Sequence, residues 1–180
     1  MKRTLACLIA VSALPIILVA PPASFATDPP ARTAAMPAPA TPTFLANTAV
    51  ANLFEIESSK LALSKSKAEA VRGFANLMIT DHTAAGTKFK QAVAEAKLTP
   101  PPEKLDAKHQ ATLDDLKKKD GAAFDKAYID AQYNGHIETV AMFEAYAKGG
   151  DNARMKQFAN EMLPTLKMHL EHVTKMRTAS

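Results

Sequence analysis

The chain has no tryptophan and a single cysteine, Cys7, which lies in an apolar segment near the N-terminus. Beyond that segment there is no thiol, so neither a disulfide framework nor a cysteine nucleophile is available to the rest of the chain. Only six glycines occur, and they form neither a Gly-rich phosphate loop nor a G-x-S-x-G motif. The usual sequence signatures of thiol enzymes, nucleotide-binding proteins and serine hydrolases are therefore missing.

The charge distribution gives no sign of a nucleic-acid partner. The formal net charge is +4 at pH 7, and two of these charges belong to Lys2 and Arg3 at the N-terminus. No basic stripe is interleaved with aromatic residues, as nucleic-acid binding would favour. The composition predicts no nucleic-acid partner and leaves an envelope protein or a second copy of the chain as the open choices.

The N-terminus predicts export. A basic start precedes an apolar run, Leu5 to Ala20, and the small residues Ser24 and Ala26 follow at the −3 and −1 positions of a cleavage site. This order is typical of a signal peptide, predicted as residues 1–26. The run is shorter than the about 20 residues that span a bilayer, and its retention as a membrane anchor is the alternative. We expect a periplasmic location, free or associated with the outer membrane, and no transmembrane span in the mature chain.

Residues 27–42 are rich in proline and alanine, which predicts a disordered or polyproline-like linker. Residues 43–178 are predicted to be all-α, because helix-forming residues dominate and strand-like alternation is absent. The breaks predict four long helices and one short helix: Thr43 to Ser64, Ser66 to Leu98, Pro102 to Lys119, Asp120 to Lys148 and Asp151 to Arg177.

Three helix starts have a predicted cap. Ser66 and Glu69 have the spacing of a capping box at the start of the second helix. Asp120 and Asp151 are expected to cap the last two long helices. Two tightly joined helix pairs and a long crossover, Thr99 to Asp120, predict a ferritin-like four-helix bundle with a short extra connecting helix.

Each long helix has an apolar face, and each of these faces carries one titratable residue. His82, His136 and His169 lie midway along the apolar stripes of the second, third and fourth long helices. On the first helix Glu57 lies within the apolar arc, and Glu55 is predicted to point the opposite way.

The four groups are predicted to share one site if the two hairpins lie at opposite ends of the bundle. A rise of about 1.5 Å per residue then brings Glu57, His82, His136 and His169 within a slab of about 12 Å. Imidazoles and a carboxylate are ligands for first-row transition metals, so these four residues are the predicted ligands of a Zn, Cu or Fe ion. The alternative is a metal-free core in which the histidines only form hydrogen bonds.

The remaining candidate groups fit other roles better. His109 and His172 are predicted to lie at the surface, and the eight methionines to fill the core. A di-iron site needs Glu-x-x-His on two helices, whereas Ile79, Tyr133 and Leu166 stand three residues before the central histidines. This pattern disfavours a ferroxidase or a di-iron oxygenase.

Four segments resemble a bacterial exported family known as domain of unknown function 4142: FEIESSKLALSKS, FANLMITDHTAAGTKF, FDKAYIDAQYNGHIETVAMFE and FANEMLPTLKMHLEH. The resemblance covers about residues 43–175. It implies a ferritin-like helical fold and export across the inner membrane, without a particular activity. The family's histidines correspond to His82, His136 and His169, and its first-helix carboxylates to Glu55 and Glu57.

The expected function is that of an exported, non-catalytic helical-bundle protein that binds a transition-metal ion in its core. Two alternatives stay open. One is a structural or partner-binding protein of the cell envelope that holds no metal. The other is a di-iron-type redox enzyme, which the missing Glu-x-x-His pattern disfavours.

Overall fold

The structure, a computed structural model, describes residues 37–179 and is all-α, as the sequence predicts. These residues form five helices and no strand: α1 (Thr41–Lys65), α2 (Glu69–Glu95), α3 (Ala107–Lys117), α4 (Gly121–Gly149) and α5 (Ala153–Ala179). A search of the same residues finds no helix with the length and hydropathy of a membrane span. The predicted signal peptide, residues 1–26, and most of the predicted linker, residues 27–42, lie outside the described residues.

Each long helix packs against two others. α1 and α5 both contact α2 and α4, while the short α3 lies on α1 and α4. Lys65 at the end of α1 bonds to Asp120 just before α4, whereas Thr41 at the start of α1 bonds to Tyr146 near the end of α4. α1 and α4 are therefore antiparallel, and the α1–α2 and α4–α5 hairpins lie at opposite ends of the long helices. This is the arrangement for which the sequence predicts that Glu57, His82, His136 and His169 lie at about the same height along the bundle.

Two apolar clusters fill the interior. One gathers residues from the start of α1, the end of α2, the end of α4 and the start of α5, and Phe44 stacks on Tyr146 within it at 3.8 Å between ring centroids. The other gathers residues from the opposite ends of the same helices, together with Leu113 and Leu116 of α3. Both clusters consist largely of apolar side chains that are almost fully withdrawn from water, which provides the main driving force for packing. The middle of the four long helices lies between the two clusters.

The first two helices begin at different residues from those predicted. α1 starts at Thr41, because proline is tolerated in a first turn, where the backbone N–H has no helical partner. The last two residues of the predicted linker therefore belong to the helical domain. The capping box at Ser66 does not form: the Ser66 N–H bonds to the Ala62 carbonyl at 2.9 Å and ends α1, so α2 begins only at Glu69.

The starts of α3, α4 and α5 also differ from the predictions, either in the first helical residue or in the side chain that caps the helix. α3 begins at Ala107 and not at Pro102, because Asp106 accepts the His109 N–H at 2.8 Å. Asn152 caps α5 by accepting the Met155 N–H at 3.0 Å, and the predicted cap, Asp151, accepts the Thr41 N–H instead. Asp120 precedes α4 as predicted, but its side chain bonds to Lys65 at 2.8 Å and to no helical N–H.

The buried face of α1 also differs from the prediction. The helical spacing of Val50, Leu53, Phe54 and Leu61 predicts that these residues face inward, but only Phe54 is fully buried and the other three are half-buried. Leu61 packs beside the cluster that contains the leucines of α3, so part of the apolar surface of α1 serves the connecting helix. The fully buried positions are shared between three large apolar residues, Phe44, Leu45 and Phe54, and small or polar ones: Thr41, Thr48, Glu55, Ser58, Ser59 and Ala62.

A hydrogen-bonded cluster ties the start of α1 to the α4–α5 hairpin, and its loss should destabilise the fold. The Tyr146 hydroxyl bonds to Thr41 and, at 3.3 Å, to Asp151. Tyr146→Phe keeps the ring stacked on Phe44 and removes these bonds, so we expect the free energy of unfolding to fall by about 1–2 kcal/mol. Urea denaturation followed by circular dichroism measures the change. Tyr133→Phe, at a half-buried tyrosine, is the matched control, and an equal loss in both variants would contradict the assignment.

Candidate metal centre

Three histidines meet in the middle of the interior, between the two apolar clusters. His82 comes from α2, His136 from α4 and His169 from α5, and their ring centroids lie 5.4 to 6.0 Å apart. One ring nitrogen of each lies within 4.8 Å of one from each of the others, and all three side chains are buried. Nitrogens that share a tetrahedral Zn²⁺ ion are about 3.3 Å apart, so small side-chain movements would bring these three into coordination.

Each imidazole is oriented by one hydrogen bond. His82 Nδ1 bonds to Asn52 Oδ1 at 3.1 Å, and His136 Nδ1 bonds to the Gln132 carbonyl oxygen at 2.8 Å. His169 Nε2 bonds to Asp81 Oδ2 at 2.8 Å. Because each acceptor is an oxygen, the bonded ring nitrogen carries the proton and the other nitrogen keeps its lone pair. Partners of this kind typically orient metal-bound histidines.

The three remaining ring nitrogens are buried and unpaired. Within residues 37–179, Nε2 of His82, Nε2 of His136 and Nδ1 of His169 have no hydrogen-bond partner. Buried polar atoms without a partner are rare, because leaving one unpaired costs about 1–3 kcal/mol. Three such atoms on three neighbouring rings are therefore available to a ligand that accepts nitrogen lone pairs.

A buried carboxylate, Glu55, lies beside the three histidines but is not among the groups whose ligand atoms lie within 4.8 Å of one another. It lines the same cavity as the three histidines, its side chain is buried, and Oε1 lies 3.9 Å from His136 Nδ1. Oε2 is buried and has no partner among the described residues. Burial raises the pKa of Glu55, while His136 and a hydrogen bond from Gln132 act in the opposite direction. A cation in the cavity would favour the ionised carboxylate.

Glu57, the predicted ligand from α1, lies outside the site. Its side chain is 39% exposed and pairs with Lys60 at 2.8 Å. The structure thus contradicts the predicted placement of both α1 carboxylates, because Glu55 faces the interior and Glu57 faces the surface. The physical reason is that α1 buries small and polar residues. Leu61, one of the leucines of its predicted inward face, packs instead beside the cluster that contains the leucines of α3.

Burial favours the neutral form of two of the imidazoles, His82 and His169. It lowers the pKa of His82 well below the usual value, and the nearby His136 and His169 lower it further. Burial also lowers the pKa of His169, although the Asp81 carboxylate partly offsets the effect. Neutral imidazole is the form that can ligate a metal ion, and the lowered pKa values keep His82 and His169 in that form to lower pH.

A cavity of about 40 Å³ lies among these groups. Glu55, Asp81 and the three histidines contribute its polar wall, and Phe89, Phe143 and Phe158 its apolar wall. A cavity needs about 10–15 Å³ to hold one water molecule, so there is room for an ion and a coordinated water. The arrangement offers three nitrogens, a nearby carboxylate and an open fourth position.

Three residues of the site, Asn52, Asp81 and Gln132, were not predicted from the sequence. Asp81 directly precedes His82, yet it bonds to His169 on a different helix. The Asp-His pair was the one available signal, since a carboxylate beside a predicted ligand is a common orienting group. Asn52 and Gln132 gave no such signal. Outside the site, His109 bonds to Asp106 at 2.7 Å and His172 is exposed.

The comparisons with known proteins identify a family and no individual relative. Neither a curated protein nor a solved structure matches the chain. A family model described as "Domain of unknown function (DUF4142)" matches residues 26–176, which include α1 to α4 and most of α5. The resemblance seen in the four sequence segments is thereby confirmed, and the chain belongs to the DUF4142 family.

Proposed function

We propose that this protein is an exported, ferritin-like four-helix-bundle protein that binds one transition-metal ion in its core. His82, His136 and His169 are the protein ligands, and Glu55 replaces Glu57 as the carboxylate at the open position. The three buried, unpaired imidazole nitrogens carry the proposal. An ion held between them would pair all three, whereas a merely structural core gains nothing from leaving them unpaired.

The orienting hydrogen bonds support the proposal independently. Each ring is held by an oxygen acceptor that fixes its tautomer and leaves the other nitrogen available. The Asp81–His169 pair has the form of the carboxylate–histidine–metal arrangement, in which a carboxylate raises the basicity of the ligand. A hydrogen-bonded histidine without a metal role would be expected to pair both nitrogens when fully buried.

The donor set narrows the choice of ion. Three imidazole nitrogens and a carboxylate suit Zn²⁺, Cu²⁺ or Fe²⁺. By the Irving–Williams order, Cu²⁺ should bind most tightly in a purified sample, so affinity alone does not name the ion held in the cell. Zn²⁺ is the simplest probe, because three histidines and one open position form an established zinc geometry.

The proposed fold and location have separate support. The hairpins lie at opposite ends, and a long connection with α3 links them, which accords with a ferritin-like bundle. Export is supported by the signal-peptide pattern in residues 1–26 and by the Pro/Ala-rich residues that follow. We place the protein in the periplasm, with an outer-membrane or envelope partner as a further option.

A metal-free structural or partner-binding protein of the envelope is the second candidate. The observation in its favour is that Asn52, Gln132 and Asp81 already hold the three rings in place. A di-iron redox enzyme has less support, since Glu55 is the one acidic side chain that is buried within residues 37–179. Ferrous-iron turnover would distinguish this third candidate.

Metal titration tests the proposal directly. We expect Zn²⁺ to bind the exported protein with one-to-one stoichiometry in calorimetry and to raise its melting temperature. At a Zn²⁺ concentration of 100 times the dissociation constant, binding stabilises a fold by about 2.7 kcal/mol.

His169→Ala should weaken Zn²⁺ binding by at least about 100-fold, more than the loss of an orienting residue. His172→Ala, three residues further on the exposed side of α5, should leave binding unchanged. Equal affinity in the two variants would overturn the assignment.

The orienting role of Asp81 gives a second test. Asp81→Asn retains an oxygen acceptor for His169 and removes the negative charge, so the ring should stay in place with reduced basicity. We expect the affinity for Zn²⁺ to fall by about 10- to 100-fold. Asp114→Asn, at an acidic residue on the surface of α3, is the control. A Zn²⁺ affinity equal to that of the unaltered protein would mean that Asp81 does not act through the metal site.

The pH dependence of stability tests the histidine burial. The pKa of His82 is lowered in the folded state, so below about pH 6.5 the unfolded chain binds more protons than the folded one. The free energy of unfolding of the metal-free protein should therefore rise with pH between about 5 and 6.5, while the raised pKa of Glu55 acts in the opposite direction. Urea titrations with a chelator present should show a smaller slope for His82→Gln than for the control His172→Gln. Equal slopes would contradict the buried, neutral state of His82.

A further inference from the structure

A second and larger cavity adjoins the candidate metal centre. Its volume is about 330 Å³, and it lies between α1, α2 and the segment that joins α2 to α3. The walls are mainly apolar and include Leu53, Ile56, Phe89 and Val93, with a proline pair of the connecting segment among the lining residues. Small-molecule sites in proteins are typically apolar cavities of about 300–1,000 Å³ with a few polar groups at one end.

The polar end of this cavity is shared with the metal centre. Asn52, His82 and Phe89 line both cavities. Asn52 Oδ1 bonds to His82 Nδ1, and its Nδ2 has no hydrogen-bond acceptor among the described residues. Asn52 therefore offers an N–H donor where the two cavities meet, next to the ring of His82.

Gly86 keeps this polar end open. A Cβ atom at this position would lie 3.1 Å from Asn52 Nδ2, closer than ordinary contact. A larger side chain at Gly86 would have to displace Asn52 or fill the cavity that Gly86 lines. Gly73, on the same helix, has no neighbouring atom within 4 Å of such a Cβ and offers a matched position without this constraint.

The charges around the cavity point to an uncharged occupant. Two charged residues line the cavity, Lys90 and Glu103, and they pair with each other at 2.7 Å. Their side chains are 68% and 69% exposed, which places the pair at the solvent side. A charged ligand would find no unpaired opposite charge there and would lose hydration on entering an apolar space.

We propose that this cavity binds a compact, uncharged molecule with an apolar body and a hydrogen-bond acceptor as its head group, such as a carbonyl oxygen. The body contacts Leu53, Phe89 and Val93, and the head group accepts a hydrogen bond from Asn52 beside the metal centre. The inference deepens the proposed function, because the head group lies next to the ion, but the cavity and its donor do not require the ion.

Benzamide is a suitable probe, since it combines an apolar ring with an uncharged carbonyl group, and benzoate is its charged counterpart. Both are titrated into ¹⁵N-labelled exported protein with a chelator present, and amide shifts are followed by NMR. We expect benzamide to shift the Asn52 and Gly86 signals and to bind at least tenfold more tightly than benzoate. Gly86→Leu should weaken benzamide binding at least tenfold, and Gly73→Leu should leave it unchanged.

A second variant keeps the test decisive if Gly86→Leu does not fold. Asn52→Leu retains the apolar wall and removes the donor, so benzamide binding should weaken at least fivefold. Absence of benzamide-dependent shifts, equal binding of benzoate, or equal losses in the two glycine variants would overturn the inference. If benzamide binds and Zn²⁺ does not, the ligand-binding role of this cavity is supported and the metal centre is refuted. If Zn²⁺ binds and benzamide does not, only the role of the cavity is refuted.

Discussion

The arrangement of the core depends on the burial of three imidazoles between two apolar clusters. Placing polar rings there is costly unless each nitrogen finds a partner, and the protein supplies one partner per ring from Asn52, Gln132 and Asp81. Those bonds fix the orientation of every ring and leave one lone pair on each. The same burial lowers the pKa values of His82 and His169, and Glu55 and a small cavity lie beside the three rings.

The helices that the sequence describes well are the ones whose buried faces are apolar. The stripe of α5 matches the predicted residues, and that of α2 does so apart from the half-buried Ala85 and Ala96, because Phe, Met, Val and Leu recur there at helical spacing. His82, His136 and His169 were therefore placed inward correctly. The same reasoning fails for α1, because hydroxyl-bearing residues and Glu55 share its buried face with apolar ones, while Leu53 and Leu61 are only half-buried.

The ends of the helices were less predictable for a related reason. Ser66, Asp120 and Asp151 all have the chemistry of a helix cap, and each is engaged by a partner that is distant in sequence or by the preceding helix. A local sequence motif indicates which hydrogen bonds a side chain can form. Which donor actually bonds to it depends on the tertiary structure. Whether Glu55 or Glu57 faces the interior is a similar question within one turn of helix, and only the packing of α1 answers it.

The chain contains no cysteine beyond Cys7, so no covalent cross-link joins the two hairpins. His82 belongs to the first hairpin, and His136 and His169 belong to the second. A single ion bound by all three would act as a reversible clamp across the hairpin boundary, closing two long chain loops at once. The separation of the hairpins would then be limited by the rate at which the ion leaves, so ion dissociation would set the lifetime of a fold that has no disulfide to hold it.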